Sequence, residues 1–311
     1  MDINRSNPDR WNADIEASVR YYNAWFVKYA PVAFRRVRKQ AILSVSQALT
    51  KIGSFCDLDD SVLIETPDVL TILRQMTCPP LARERLAGLA GVTKSVVKSF
   101  EEGKPRKCTR LANAPKIMEV IRSLIDTDLL SWIDRSKSPT KREAELASYV
   151  ISDRLCGAMT DPKIRNEQEH RQVHAITAYL KSRGYVETSP KTYRDLRPGE
   201  YAIHLNVDVK VGDEQVRNLT GDVTIMPRNG QSGDLPIFVE AKSAGDYTNV
   251  NKRRKEEASK VHQLRATYGE NVRFVLFLGG YFDSGYLGYE AANGIDWIWE
   301  HRISDMEKLG L

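Results

Sequence analysis

Gly221-Asp222-Val223-Thr224-Ile225, a loop from Met226 to Asp234, and Leu235-Pro236-Ile237-Phe238-Val239-Glu240-Ala241-Lys242 form the stretch whose reading decides the fold. Two apolar runs rich in β-branched residues flank a segment of Pro, Asn, Gly and Ser, which predicts neighbouring strands joined by a loop. The first run carries a carboxylate, and the second ends in a carboxylate, a small residue and a lysine. Alternate strand residues share a face, so Glu240 and Lys242 point the same way. If the strands pair, Asp222 joins them. Two converging carboxylates suit a hard divalent cation such as Mg²⁺, and a nearby ammonium suits a phosphate or a metal-bound water.

An acid-x-Lys triplet is common, and the chain holds three others. Glu102-Gly103-Lys104 follows an expected helix, Asp161-Pro162-Lys163 is expected in a loop, and Asp208-Val209-Lys210 lies on a strand. In that strand Ile203, Leu205, Val207, Val209 and Val211 alternate with His204, Asn206, Asp208 and Lys210, so its polar members form a solvated face. Only the Glu240 triplet ends a buried-looking strand behind a partner acid. The arrangement resembles the PD-(D/E)xK nuclease core, with Gly221 standing where that motif has proline.

At 311 residues the chain holds one large or two ordinary domains, and its 41% hydrophobic content supports real cores. No apolar run spans a bilayer, and the opening Met1-Asp2-Ile3-Asn4-Arg5 is no export signal, so a cytoplasmic location is expected. Cys56, Cys78, Cys108 and Cys156 are scattered with no CxxC pair, which argues against zinc and for reduced thiols. A net charge of +5 is compatible with a nucleic-acid partner without requiring one.

The first half reads as helical. One helix is expected over 14–29, ending before Pro31, with aromatics serving the core; a second over 34–51 begins in the solvated cations Arg35, Arg36, Arg38 and Lys39. Residues 81–103 read as two helices around Gly91, a helix-turn-helix pattern or an ordinary hairpin. Leu86, Ala87 and Leu89 are expected to pack on Val92, Val97 and Phe100, with Thr93 as cap. Lys94, Ser95 and Lys98 would then be presented to DNA. The polar segment 134–139 marks the expected boundary between a helical, DNA-gripping region over 1–136 and a nuclease domain over 137–311.

In the second half, 166–183 reads as a helix whose stripe of Val173, Ile176 and Leu180 includes Glu169. An acid on the buried side of that helix is a candidate outer ligand, or an ordinary surface acid buried by its stem. Three strands, a helix over 251–268 and a buried strand at 273–278 follow. The order helix, three strands, helix, strand is that of the PD-(D/E)xK fold, an α+β class with a mixed sheet. Between Lys242 and this last helix lie Thr248, Asn249 and Asn251, then Lys252, Arg253, Arg254 and Lys255. Cations at a helix N-terminus oppose the macrodipole unless an anion lies there, and backbone phosphate is the natural anion.

Together, CPPLARERLAGLAG, DRLCGAMTDPKIRNEQEHRQ, EAKSAGDYTNVNKRRKEEASK and GYFDSGYLGYEAANGIDWIWEHRI resemble the XamI family of type II restriction endonucleases over nearly the whole chain. The resemblance implies Mg²⁺-dependent cleavage of double-stranded DNA at a short palindrome such as GTCGAC, leaving 5′-phosphate and 3′-hydroxyl ends, in a bacterial cytoplasm. It also implies a companion DNA methyltransferase. Asp222, Glu240 and Lys242 fall on the motif and Glu169 on the acid of the preceding helix; Asp222, Glu240 and the Ala241 carbonyl would hold the metal. A palindrome's symmetry points to a homodimer. The rival readings are a non-catalytic helix-turn-helix regulator and a structure-selective repair nuclease.

Overall fold

The computed structural model describes residues 2–53, 58–133, 135, 138–211, 215–231, 233–248 and 250–311. For residues 211, 215, 217 and 251–255 it describes the backbone alone. The chain divides into two compact units, Ala30–Ile164 and Met1–Tyr29 with Arg165–Leu311. These divisions differ from the sequence boundary at 136/137, because the first 29 residues pack with the C-terminal half. Ile3 and Asn4 donate backbone N–H groups to the buried carboxylate of Asp296, the latter at 3.0 Å.

The Ala30–Ile164 unit is helical. It takes part of α1 (Pro8–Lys51), then α2 (Ser61–Glu65), α3 (Leu70–Leu73), α4 (Arg83–Leu89), α5 (Lys94–Glu101), α6 (Lys107–Ser123) and part of α7 (Lys141–Ser182). Val37, Ala41 and Val45 of α1 share one core with Leu86, Val97, Phe100, Ile117 and Trp132. Two helix boundaries differ from the expectation. α1 runs through Pro31 and α7 through Pro162, so Asp161-Pro162-Lys163 is helical and not a loop. A helix-interior proline removes one hydrogen bond and crowds the preceding turn. Here the turns on both sides bury their own apolar residues, Ile15 and Tyr22 before Pro31 and Val37 and Ala41 after it, and packing overrides the break.

α4 and α5 form the expected helical pair about Gly91, whose φ of +63° favours glycine. Thr93 caps α5 by accepting the Val96 N–H at 3.4 Å. Leu86, Ala87, Val97 and Phe100 are buried as expected, but Leu89 is exposed, because the short α4 turns it outward.

The other unit carries a six-stranded sheet in sequence order: β1 (Val186–Glu187), β2 (Glu200–Val211), β3 (Gln215–Ile225), β4 (Ile237–Ala244), β5 (Arg273–Gly280) and β6 (Asp296–Trp299). β2, β3 and β4 run antiparallel to one another, whereas β1 is parallel to β2, and β4, β5 and β6 are mutually parallel. This is an α+β fold with a restriction-endonuclease-like core. Val173, Ile176 and Leu180 of α7 pack with Val223, Val239 and Phe277 on one face. α8 (Val250–Tyr268) and α9 (Ser284–Ala292) pack Val261, Leu264, Tyr286 and Leu287 with Phe238, Leu276 and Trp297 on the other. Alternation along β4 therefore sends Phe238, Glu240 and Lys242 towards α8, and Val239 and Ala241 towards α7.

Candidate active site

β3 and β4 pair through Ile225↔Ile237, Thr224↔Phe238 and Val223↔Val239, and pairing stops there. One step further Asp222 would face Glu240. Instead Asp222 Oδ2 accepts the Ala241 N–H at 2.8 Å, so a side-chain oxygen takes the place of a backbone carbonyl and the strands part. β4 stays paired to β5 as far as Ala244↔Gly280, so the opening lies on the β3 side alone. The antiparallel register thus puts Asp222, Glu240 and Lys242 around one notch. Their side chains are 15%, 4% and 19% exposed.

Glu240 and Lys242 are gripped from α8. Lys242 Nζ lies 3.0 Å from Glu240 Oε1 and 3.0 Å from Oε1 of Glu257, which is fully buried. Lys260 Nζ pairs with the same Glu240 oxygen. The order Glu257, Lys242, Glu240, Lys260 alternates in sign. Burial alone would lower the Lys242 pKa, but the two carboxylates outweigh it and hold the ammonium above the usual lysine range. Burial, and then the neighbouring Glu240 charge, push Asp222 up to about 6, against the opposing Ala241 N–H.

α7 fixes the far side of β4. Gln172 Nε2 donates to the Lys242 carbonyl at 3.1 Å and to the Phe277 carbonyl at 3.2 Å, and Gln168 Oε1 accepts the Ser243 hydroxyl at 3.1 Å. Gln168 and Gln172 are buried and Glu169 is exposed, which corrects the expectation that Glu169 lies on the buried stripe. One residue's rotation, about 100°, turns it to the open end of the notch. There Glu169, His204 and Asp222 offer ligand atoms within 4.8 Å of one another. His204 sits in β2 opposite Asp222, between the pairs Ile203↔Val223 and Leu205↔Gly221, with a φ of +51° that a non-glycine residue seldom adopts.

Sequence patterning does not single out His204, Glu257, Lys260 or Gln172. His204 was absorbed into the solvated alternation of β2, and its place opposite Asp222 depends on a register that alternation cannot reveal. Glu257 and Lys260 did leave a signal. With Val261 and Leu264 they recur at helical spacing, two charges on the inward stripe of α8.

Of the DNA-facing candidates, Lys94, Ser95 and Lys98 are exposed on α5, where Lys94 pairs with Glu84 and Lys98 with Glu102. Exposed Thr248 donates its N–H to Asp246 at 2.8 Å. The backbone of Asn251 to Lys255 opens α8, and Asn249 lies outside the described residues.

The carboxylates of the donor set suit a hard divalent cation, and the imidazole a borderline one. Asp222 and Glu169 supply carboxylate oxygens, His204 an imidazole, and Glu240 Oε2 is buried with no hydrogen-bond partner among the described residues. A mixed sheet between helices, opened at its centre where two strands part, is a restriction-endonuclease-like core. The model of the XamI restriction endonuclease family matches residues 53–299, and the chain belongs to that family. It is 44% identical over 318 aligned positions to the type II restriction enzyme SalI of Streptomyces albus G, with 99% of each chain covered. The chain is accordingly a type II site-specific deoxyribonuclease, an enzyme class that generally uses a divalent metal ion. No solved structure matches it. Among the described residues no helix is long and apolar enough to cross a membrane.

Proposed function

We propose that the enzyme hydrolyses phosphodiester bonds on both strands of a short palindrome, with Mg²⁺ held by Asp222, Glu240 and the Ala241 carbonyl and with Glu169 as an outer ligand. The convergence of Asp222, Glu240 and Lys242 where β3 and β4 part carries this reading. The ion, when bound, would lower the pKa of a water molecule and stabilise charge on the scissile phosphate. Lys242 acts as a cation and not as a base, since Glu240 and Glu257 hold it protonated. Its ammonium orients the attacking water and offsets charge on the non-bridging oxygens. In-line attack breaks the P–O3′ bond, leaving a 5′-phosphate on one fragment and a 3′-hydroxyl on the other.

The reading includes a homodimer, since one notch cuts one strand and a palindrome presents two equivalent phosphates. Residues 248–255 would line the backbone beyond the notch. The chain would act in a bacterial cytoplasm, beside a methyltransferase that protects the same site. The test is digestion of supercoiled plasmid in Mg²⁺. Discrete linear fragments without lasting nicked circles are expected. Smearing or branch-dependent cutting would point to a repair nuclease, and long-lived nicks with one protein per site would count against the dimer.

The outward cations of α5 supply a second expectation. Among the described residues Lys94 and Lys98 pair with exposed acids, and such pairs contribute little to stability. Replacing both with alanine should leave folding unchanged and weaken binding to every DNA sequence. The slope of log Kd against log salt should flatten by about two if both neutralise phosphates. An unchanged slope would reduce α4 and α5 to a structural hairpin.

A further inference from the structure

The face of α8 turned to the sheet carries two charges that this reaction scheme does not use. Glu257 is fully buried, and its partner among the described residues is the Lys242 ammonium. A buried carboxylate is costly unless paired, so Glu257 and Lys242 hold each other in place. Lys260, with 28% of its side chain exposed, reaches the Glu240 oxygen that Lys242 also holds, leaving the second oxygen buried without a partner among the described residues. A carboxylate suited to a divalent ion thus already carries two ammonium groups on one oxygen.

The two ammonium groups are not equivalent. Lys242 is held between two carboxylates, whereas Glu240 is the acid that Lys260 meets among the described residues. Lys242 is also the less exposed, so moving it would strand Glu257 without compensation, while Lys260 can swing its head into water at little cost. We propose that Glu257 and Lys260 are positioning residues for the hydrolytic pair. Glu257 fixes the Lys242 ammonium beside Glu240, and Lys260 is a place-holding cation that a divalent ion displaces. The proposal rests on the reading of Glu240 as a metal ligand. Such a device lets a buried acid be tolerated before the ion arrives, and it keeps ion binding weak because the ion must overcome a like charge.

Ca²⁺ titrated calorimetrically into the full-length, DNA-free protein tests the place-holder without relying on cleavage. K260M should bind Ca²⁺ on the order of tenfold more tightly than the wild type, the like charge having gone, and K260R should keep the wild-type affinity. Affinity in K260M equal to or weaker than wild type would overturn the place-holder. E240Q separates this failure from failure of the site itself. If E240Q binds Ca²⁺ as the wild type does, Glu240 is no ligand and the underlying reading falls. If E240Q loses the ion while K260M gains nothing, only the place-holder falls.

For Glu257, single-turnover cleavage and DNA affinity are measured on E257Q and E257D. E257Q should lose on the order of 10²-fold in rate with an unchanged Kd for DNA, because the ammonium is no longer held where charge develops. E257D should recover part of the loss. Wild-type cutting by E257Q would overturn the positioning role. Should E257Q fail to fold, E257M, which also lacks the carboxylate, carries the test, a wild-type rate again overturning the role.

Discussion

Alanine at Asp222 or at Glu240 should abolish Mg²⁺-dependent cleavage, and alanine at Lys242 should do the same while the protein still binds the ion. Each acid removed takes a hard oxygen from a notch that offers few. The loss in each case should reach at least the order of 10²–10³-fold seen when one preorganised electrostatic group is deleted. The Lys242 variant differs because its ammonium is asked to orient water and offset charge, not to hold metal. All three should retain the cognate site. The two acid variants should bind it more tightly, since a negative charge facing phosphate has gone. D208A combined with K210A is the control, on the stretch of β2 after His204 where buried and exposed residues alternate. Both side chains are exposed, and the contacts at these positions come from the backbone, the Asp208 carbonyl accepting from Tyr268 and the Lys210 N–H donating to Thr267 at 2.9 Å. The control pair should cut nearly as the wild type does. If it proves inactive while E240A cuts at the wild-type rate, the site has been misplaced.

Asparagine at Asp222 should stabilise the metal-free protein while removing its function. The folded carboxyl titrates at about 6 against an ordinary 3.8. A raised value means that folding prefers the neutral acid, so the stability from this group is complete below pH 3.8 and is lost as pH rises through 6. At pH 7 and above the wild type therefore bears a penalty of roughly 1–3 kcal/mol that an amide does not. D222N can still accept the Ala241 N–H through its amide oxygen. In EDTA at pH 8 its Tm should exceed that of the wild type by several degrees, the gap closing as pH falls towards 4. Ion binding carries the opposite sign. The ligand must be ionised, so wild-type affinity for the ion should rise across the same interval. A Tm difference between D222N and wild type that does not change between pH 4 and 8 would show that Asp222 is not held neutral.

How far the sequence could be read differs from element to element. β5 was plain as an unbroken apolar run, and β2 as alternation from Leu205 to Val209. Ile203, however, packs on the opposite face, the positive φ of His204 breaking the period between them. The second acid and the lysine were legible from strand period too, as neighbours on one face of one strand. The helices continue through Pro31 and Pro162, where the sequence predicts breaks, since a proline's local cost is visible in the sequence whereas the burial that overrides it is not. Glu169, expected on the buried stripe of its helix, is exposed, its neighbours Gln168 and Gln172 taking that stripe.

By itself the sequence determined the class of fold, the order of β2, β3, β4, α8 and β5, and that Asp222, Glu240 and Lys242 could meet, all of which follow from periodicity and local spacing. The family resemblance, carried by four separated stretches, was equally a property of the sequence. Tertiary structure alone decided what surrounds the triad: where β3 and β4 part, that His204 stands opposite Asp222, and that α8 brings Glu257 and Lys260 to Lys242 and Glu240. These contacts join residues distant along the chain through strand register and helix rotation. A shift of one residue in either would exchange an inward charge for an outward one, and only packing of the finished core selects between them.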